Sequence, residues 1–254
     1  MELAVDPRNP KAATLAAAVE AGLRVCGRPR EALDPSVTLV VGGDGWMLHC
    51  VREGGPQRVF LGLNAGHLGF LLNDAADVGS LVRALAAGAW AAHPFPRLRM
   101  EATGLDGAPR VTYALNDLYL ERSSGQTAHL ALEIDGEPLV ERLVCDGIIV
   151  ATALGSTAYS LSAGGVPCHP ALRATLITPI CPHAPRLSPV LLPPEATVRV
   201  VARHPERRPV RAVADGVDLG PVTAMTTGPG DTVSIAFLEG HAFTRTLVGK
   251  VLRS

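Results

Sequence analysis

A chain of 254 residues can bury one large core or two modest ones. Its 47% apolar residues include no run near the roughly 18 needed to span a bilayer, which excludes a helical membrane protein. With 23 basic against 24 acidic residues and no basic run longer than a pair, a nucleic-acid footprint is excluded as well.

The opening MELAVDPRNPKAA has neither a basic leader nor a long apolar core, so no secretory signal is expected and the cytoplasm is the expected compartment. Residues 10–22, PKAATLAAAVEAG, are alanine-rich with a proline near the start and predict a helix. VTLVV at 37–41 is a short continuous apolar run, the pattern of a buried parallel strand. WMLHCVREGG then predicts a helix ended by glycine, RVFLGLN at 58–64 a second strand, and DAADVGSLVRALAAGAW at 74–90 another helix. Alternating helices and strands imply an α/β layer.

After HPFPR at 93–97 helical periodicity fades. LRMEATG, VTYALNDLYLE, HLALEIDGEPLVERLV, GIIVAT, TVRVVAR and TVSIAF are short β-like runs separated by DG, GP or HP, and they predict a mainly β second domain. The proline-bounded segment 93–97 is the expected boundary. The expected division is 1–94, 95–236 and a tail at 237–254 that packs back on the first domain. The proline-rich stretch PHAPRLSPVLLPPE at 182–195 predicts a loop or an edge crossing.

The cysteines at 26, 50, 145, 168 and 181 are odd in number and form no CxxC pair, so reduced thiols are expected. Cys168-His169 and Cys181-Pro-His183 bring metal-binding residue types close in sequence. Neighbours on an extended chain point in different directions, however, and prolines flank both pairs, so no metal site is expected there.

The lysines, Lys11 and Lys250, lie outside any glycine-rich loop, which excludes a Walker-type nucleotidase. Yet the first strand ends in Gly42-Gly43-Asp44-Gly45, and a strand–glycine–helix junction lets phosphate approach the backbone. Asp44 is the odd feature, since a carboxylate repels phosphate unless it acts on a hydroxyl nearby, as a base or an orienter. An ordinary Asp-Gly turn is the bland alternative. LGLNAGHLGFL at 61–71 places Asn64 and Gly66 at the end of the second strand, where open α/β sheets hold ligands. In the β region Asn116-Asp117 interrupts an apolar run, and CDGIIVATALGSTAYSLSAGG at 145–165 carries small polar residues suited to a nucleoside, with Tyr159 able to stack on a base.

With GGDG (42–45), LNAGHLGFL (63–71), ND (116–117), DGIIVAT and GSTAYSLSAGG (146–165) and TPICPH (178–183) in this order, the chain resembles NAD kinases of the bacterial type. GGDG alone also suits phosphofructokinases and diacylglycerol-type lipid kinases; GSTAY, SAGG and PICPH separate the possibilities. The resemblance implies a Rossmann-like α/β domain with a mostly parallel sheet, a mainly β domain of β-sandwich type, and homodimers or homotetramers with the active site between the domains. It implies transfer of the terminal phosphoryl of ATP, or of polyphosphate, to the 2′-hydroxyl of the adenosine ribose of NAD, with Mg²⁺ accompanying the donor. Asp44 would then be the base, with Gly42 and Gly43 against phosphate and Asn64 and Gly66 in a second loop. Gly45, His49, Asn116, Asp117, Asp146, Thr157, Ala158, Tyr159 and Ser162 would bind NAD.

Several positions depart from the family pattern. Trp46 follows GGDG where threonine or asparagine is usual, His49 stands where many members have arginine, the common TPTGSTAY reads TALGSTAY with Ala153 and Leu154 for proline and threonine, Asp117 replaces glutamate, and Pro167 is displaced by one. ADGVD at 214–218 matches the family's DGQ only through Asp215 and Gly216, since Val217 replaces the glutamine. These departures keep an alternative open, a catalytically weak NAD- or NADP-binding sensor on the same scaffold. His67 and His183 sit among glycines and prolines, where a structural role is as open as a functional one.

Overall fold

A computed structural model describes residues 1–66 and 69–251. The chain divides into two compact units, residues 1–95 with 232–254, and residues 96–231. The first has an α/β architecture and the second is largely β, the fold class that the alternating and then β-like sequence patterns predict.

In the first unit the strands β1 (Glu2–Val5), β2 (Val37–Gly42) and β3 (Val59–Asn64) pair in parallel in that order. The end of a long strand, β14 (Val217–Leu238), joins as the fourth, with Ser234–Ala236 parallel to β3. Every residue of β2 is buried, as a strand covered on both faces requires. Helix α1 (Pro10–Val25) starts where Asn9 accepts the Lys11 N–H and proline occupies the first turn, and it buries Ala12, Ala16, Val19 and Leu23, one stripe at helical spacing. Helix α2 (Asp44–Gly54) buries Met47, Cys50 and Val51.

Helix α3 (Val78–Ala87) is shorter than the 74–90 run suggests, because Asp77 caps it by accepting the Ser80 N–H and Gly88 ends it in a left-handed conformation. Leu23, Leu39, Leu61, Leu63, Leu81 and Leu85 lie in the shared core. Helix α5 (Phe243–Val251) closes the described chain.

In the second unit the strands are antiparallel. Strand β4 (Trp90–Gly104) runs straight through the HPFPR segment, the expected boundary, so its two prolines sit inside a strand. It pairs with β5 (Pro109–Ala114). Strands β6 (Asp117–Arg122), β9 (Gly147–Thr152) and β10 (Thr175–Ile180) form one layer with β13 (Val210–Ala214). The edge strand β11 (Val190–Leu192), within the proline-rich stretch, pairs with β10.

Strands β7 (Ala128–Ile134), β8 (Glu137–Cys145) and β12 (Val198–Ala202) form a second layer. Strand β14 serves both, pairing with β13 through Val217–Val222 and with β12 through Ala224–Thr227. Leu118, Leu120, Leu130, Leu132, Ile148, Val150, Val200 and Met225 belong to one buried cluster. Among the described residues no helix is long and apolar enough to cross a membrane.

Candidate active site

Asp44 is the first residue of α2, directly after the glycines that end β2. Its carboxylate is held from the second loop, accepting the backbone N–H of Phe70 at 2.8 Å on Oδ2 and that of Leu71 at 3.1 Å on Oδ1. One backbone donor on each oxygen orients the carboxylate. Gly69 makes this approach possible, because a Cβ there would lie 2.6 Å from Asp44 Oδ1. Asn64 Oδ1 accepts the Gly66 N–H at 2.9 Å, closing the start of the same loop. His67 lies outside the described residues. Asn64 and Gly69 line a cavity of about 630 Å³ with Asn73, Asp74, His241 and Arg245.

Asn73 carried no sequence signal. It is buried, and its amide donates to the carbonyls of Gly62 and Ala236 while its Oδ1 accepts the Leu238 N–H at 2.8 Å, which ties the second loop to the returning strand β14.

Trp46 and His49 are turned to another face of α2. The Trp46 indole N–H donates to the Ala4 carbonyl of β1 at 3.3 Å, and its ring stacks on His49 with centroids 4.7 Å apart. Arg52 contacts His49 Nδ1 at 2.8 Å; a guanidinium only donates, so Nδ1 is the accepting nitrogen. Trp46 and His49 line a separate cavity with Glu2, Cys50, Glu53 and Arg58, and the structure does not bring His49 to Asp44.

In the second unit Asp117 begins β6 and is buried, next to the half-buried Asn116. Burial pushes the Asp117 carboxyl up to about 7, the neighbouring Asp215 adds to the rise, and the Tyr159 backbone N–H opposes it. Burial raises Asp215 too, but there the N–H groups of Leu115, Asn116 and Asp117 oppose it, together with the charge of Arg97. Three donors favour the anion at Asp215 against one at Asp117, so the neutral form is the more favoured at Asp117.

The GSTAYS segment folds as a 3-10 turn (Gly155–Thr157) followed by the short helix α4 (Tyr159–Ser162). The turn sorts its hydroxyls. Ser156 is buried against Ala153 and Cys168, and Ser160 contacts Thr178 at 2.8 Å, both inside the fold. Thr157, Ala158 and Tyr159 are half-buried and Ser162 is exposed, which leaves these predicted residues available.

The Tyr159 ring meets Tyr119 edge to face at 5.0 Å and lines a cavity of about 640 Å³ with Glu121, Arg122, Asp146 and Arg211. Asp146 pairs with Arg122 at 2.8 Å. Arg122, Arg211 and Tyr119 escaped sequence reasoning because isolated charges and aromatics on alternating strands have no pattern of their own. Among the described residues no group of three or more His, Cys, Asp and Glu side chains could hold a metal ion, the Cys168–His183 region included.

Known proteins resemble the chain over most of its length. A family model for the ATP-NAD kinase C-terminal domain matches residues 115–235. The NAD kinase of Brucella suis biovar 1 is 38% identical over 226 residues, 87% of this chain and 86% of that protein. That of Hyphomonas neptunium is 38% identical over 216 residues, 82% of each. Among solved structures, a yeast NADH kinase complexed with NADH has the same fold, with a TM-score of 0.86 at 23% identity over 99% of this chain and 86% of that one. An NAD kinase from Archaeoglobus fulgidus in complex with ATP superposes with a TM-score of 0.78 at 25% identity, covering 100% of both chains. With curated relatives at this identity spanning more than four fifths of its length, the chain belongs to the NAD kinase family.

Proposed function

We propose that this chain transfers the terminal phosphoryl group of ATP, or of polyphosphate in its place, to the 2′-hydroxyl of the adenosine ribose of NAD and so makes NADP. Its relatives support NAD kinase activity, and one observation carries the mechanism. Asp44, at the glycine-rich start of α2, has both carboxylate oxygens fixed by backbone N–H groups.

In the reaction the ribose 2′-oxygen forms a bond to the terminal phosphorus as the bond from phosphorus to the donor's bridging oxygen breaks. Asp44 accepts the hydroxyl proton. Phosphoryl transfer has a loose transition state, so alignment and charge neutralisation supply most of the acceleration and the base a smaller share. Gly42, Gly43 and Gly45 offer backbone to phosphate, with Asn64 and Gly66 in the second loop. On the dinucleotide side Asn116 and Asp117 take the ribose hydroxyls or adenine edge. Burial and Asp215 favour the neutral carboxyl of Asp117, and in that form it can donate as well as accept. Asp146, Thr157, Ala158, Tyr159 and Ser162 complete the binding surface, and His49 has no part in this assignment.

Mg²⁺ neutralises the donor's phosphates when bound. Its ligands would be chiefly the donor's phosphate oxygens and water. The same reading makes the protein a homodimer or homotetramer. It also places it in the cytoplasm, where five unpaired cysteines stay reduced.

The test is NADP formation from NAD and Mg·ATP, with polyphosphate and NADH in parallel and the Asp44→Asn variant alongside. The reading expects turnover in the wild type that falls by about 10²- to 10⁴-fold in the variant with NAD binding retained. Bound NAD with no NADP from either donor would leave a binding protein instead.

A further inference from the structure

Asp215 and Gly216 form the two-residue connection between β13 and β14, with φ of 45° and 78°. Two positive φ values in a two-residue hairpin turn suit Asn-Gly or Asp-Gly, so the backbone alone accounts for the pair of residue types. It does not account for what the side chain does. The Asp215 carboxylate reaches away from its own turn and accepts three consecutive backbone N–H groups, of Leu115 at 2.7 Å, Asn116 at 2.8 Å and Asp117 at 3.2 Å.

The carbonyls of the same three residues are committed as well. Leu115 O accepts the Thr152 hydroxyl at 2.7 Å, Asn116 O the Thr152 N–H at 2.9 Å, and Asp117 O the Asp215 N–H at 3.0 Å. Thr152 in turn accepts the Gly155 N–H at 3.0 Å, and a Cβ on Gly155 would lie 2.0 Å from Asn116 O. Every backbone polar group from 115 to 117 thus has a partner in the protein. The segment is pinned from one side by Asp215 and from the other by Thr152 and Gly155, so its backbone is fixed within the protein.

We propose that Asp215 is a positioning residue of the dinucleotide site, whose carboxylate fixes the 115–117 backbone and so sets where Asn116 and Asp117 meet the ribose of NAD. The proposal rests on the reading that Asn116 and Asp117 hold NAD. The loss of the family's glutamine at Val217 does not touch this role, because the contacts belong to Asp215 alone.

The test compares wild-type full-length chain with Asp215→Asn and Asp215→Gly, two residues that accept the left-handed backbone, so that each variant removes the carboxylate and keeps the turn. Val200→Ala, in the core of the same unit, serves as a purely structural control. Removing charge-assisted hydrogen bonds to a site segment should raise KM for NAD by about 10- to 100-fold. KM for ATP should stay at its wild-type value, whereas Val200→Ala lowers Tm and moves neither constant. Amide exchange at 115–117 should quicken in both Asp215 variants.

Wild-type KM for NAD in Asp215→Asn overturns the proposal. So does a joint rise of both KM values with a fall in Tm, which is the signature of a general loss of structure, and so does failure of both variants to fold. If the wild type neither binds nor phosphorylates NAD, the dinucleotide reading fails by itself. Amide exchange then decides the positioning claim, and unchanged protection at 115–117 overturns it.

Discussion

Gly69 and Asp44 are in contact across the first unit so closely that a single added carbon would collide: a Cβ on Gly69 would stand 2.6 Å from Asp44 Oδ1. Gly69→Ala must therefore push the carboxylate aside or shift the loop that orients it. A displacement near 1 Å at a reacting group costs on the order of 100-fold. The expected result is a kcat lower by about 10- to 100-fold with KM for NAD little changed, read by steady-state kinetics on protein whose circular dichroism matches wild type. Wild-type kcat in the alanine variant would show that the Asp44 position is not critical.

The raised Asp117 carboxyl sets a pH dependence of stability. Its ordinary pKa is 3.8 and its folded value is about 7, so between these limits the native state binds more protons than the unfolded chain. Stability contributed by Asp117 is then fully present below about pH 4 and is lost as pH rises through 7. Asp117→Asn removes this dependence. The Tm of the variant minus that of wild type should increase from pH 5 to pH 8, measured by calorimetry in matched buffers. Parallel Tm curves would refute the raised value.

Arg97 and Asp231 make a two-pronged ion pair with both N···O distances at 2.6 Å, and the arginine side chain is only 7% exposed while lying 5.0 Å from the Tyr113 ring centroid. Asp231→Ala leaves a buried guanidinium without its partner and should cost about 3 kcal/mol in urea unfolding. The double variant Arg97→Met/Asp231→Ala should recover part of that loss. If the double variant is less stable than Asp231→Ala alone, the pair is not the source of the cost.

Thiol chemistry follows burial. Cys26 and Cys181 are exposed, whereas Cys50, Cys145 and Cys168 are buried, and burial pushes Cys50 to about 11 and Cys145 to about 12. A disulfide reagent at neutral pH should titrate two thiols quickly in the native protein and five in denaturant. Rapid reaction of a third native thiol would contradict the packing around β2 or β9.

Much of the molecule was legible before any coordinates. The apolar run at 37–41 fitted a buried strand and RVFLGLN at 58–64 a second one, as β2 and β3 have it, whereas the caps Asp77 and Gly88, which shorten the helix read over 74–90, went unread. The GGDG junction, the ND pair and the GSTAYS segment were equally visible, because short-range backbone requirements leave their mark in contiguous residues. The prolines at 94 and 96 marked the expected boundary at 93–97, where the division between the units falls, but not that a strand runs through it, since strand tolerance for proline depends on which backbone groups face a neighbour, and that is decided by pairing.

What tertiary structure alone decided are the relationships between residues distant in the chain. Asp44 meets Phe70 and Leu71 across 26 and 27 residues, and Asp215 meets the 115–117 backbone across about a hundred. The sequence by itself determined which segments would be buried and which carried ligand chemistry, since local propensity and periodicity act through neighbours along the chain. Which carboxylate is clamped, which histidine is turned away, and which aspartates burial pushes toward the neutral form depend on groups brought together by folding, and no local pattern encodes those distances.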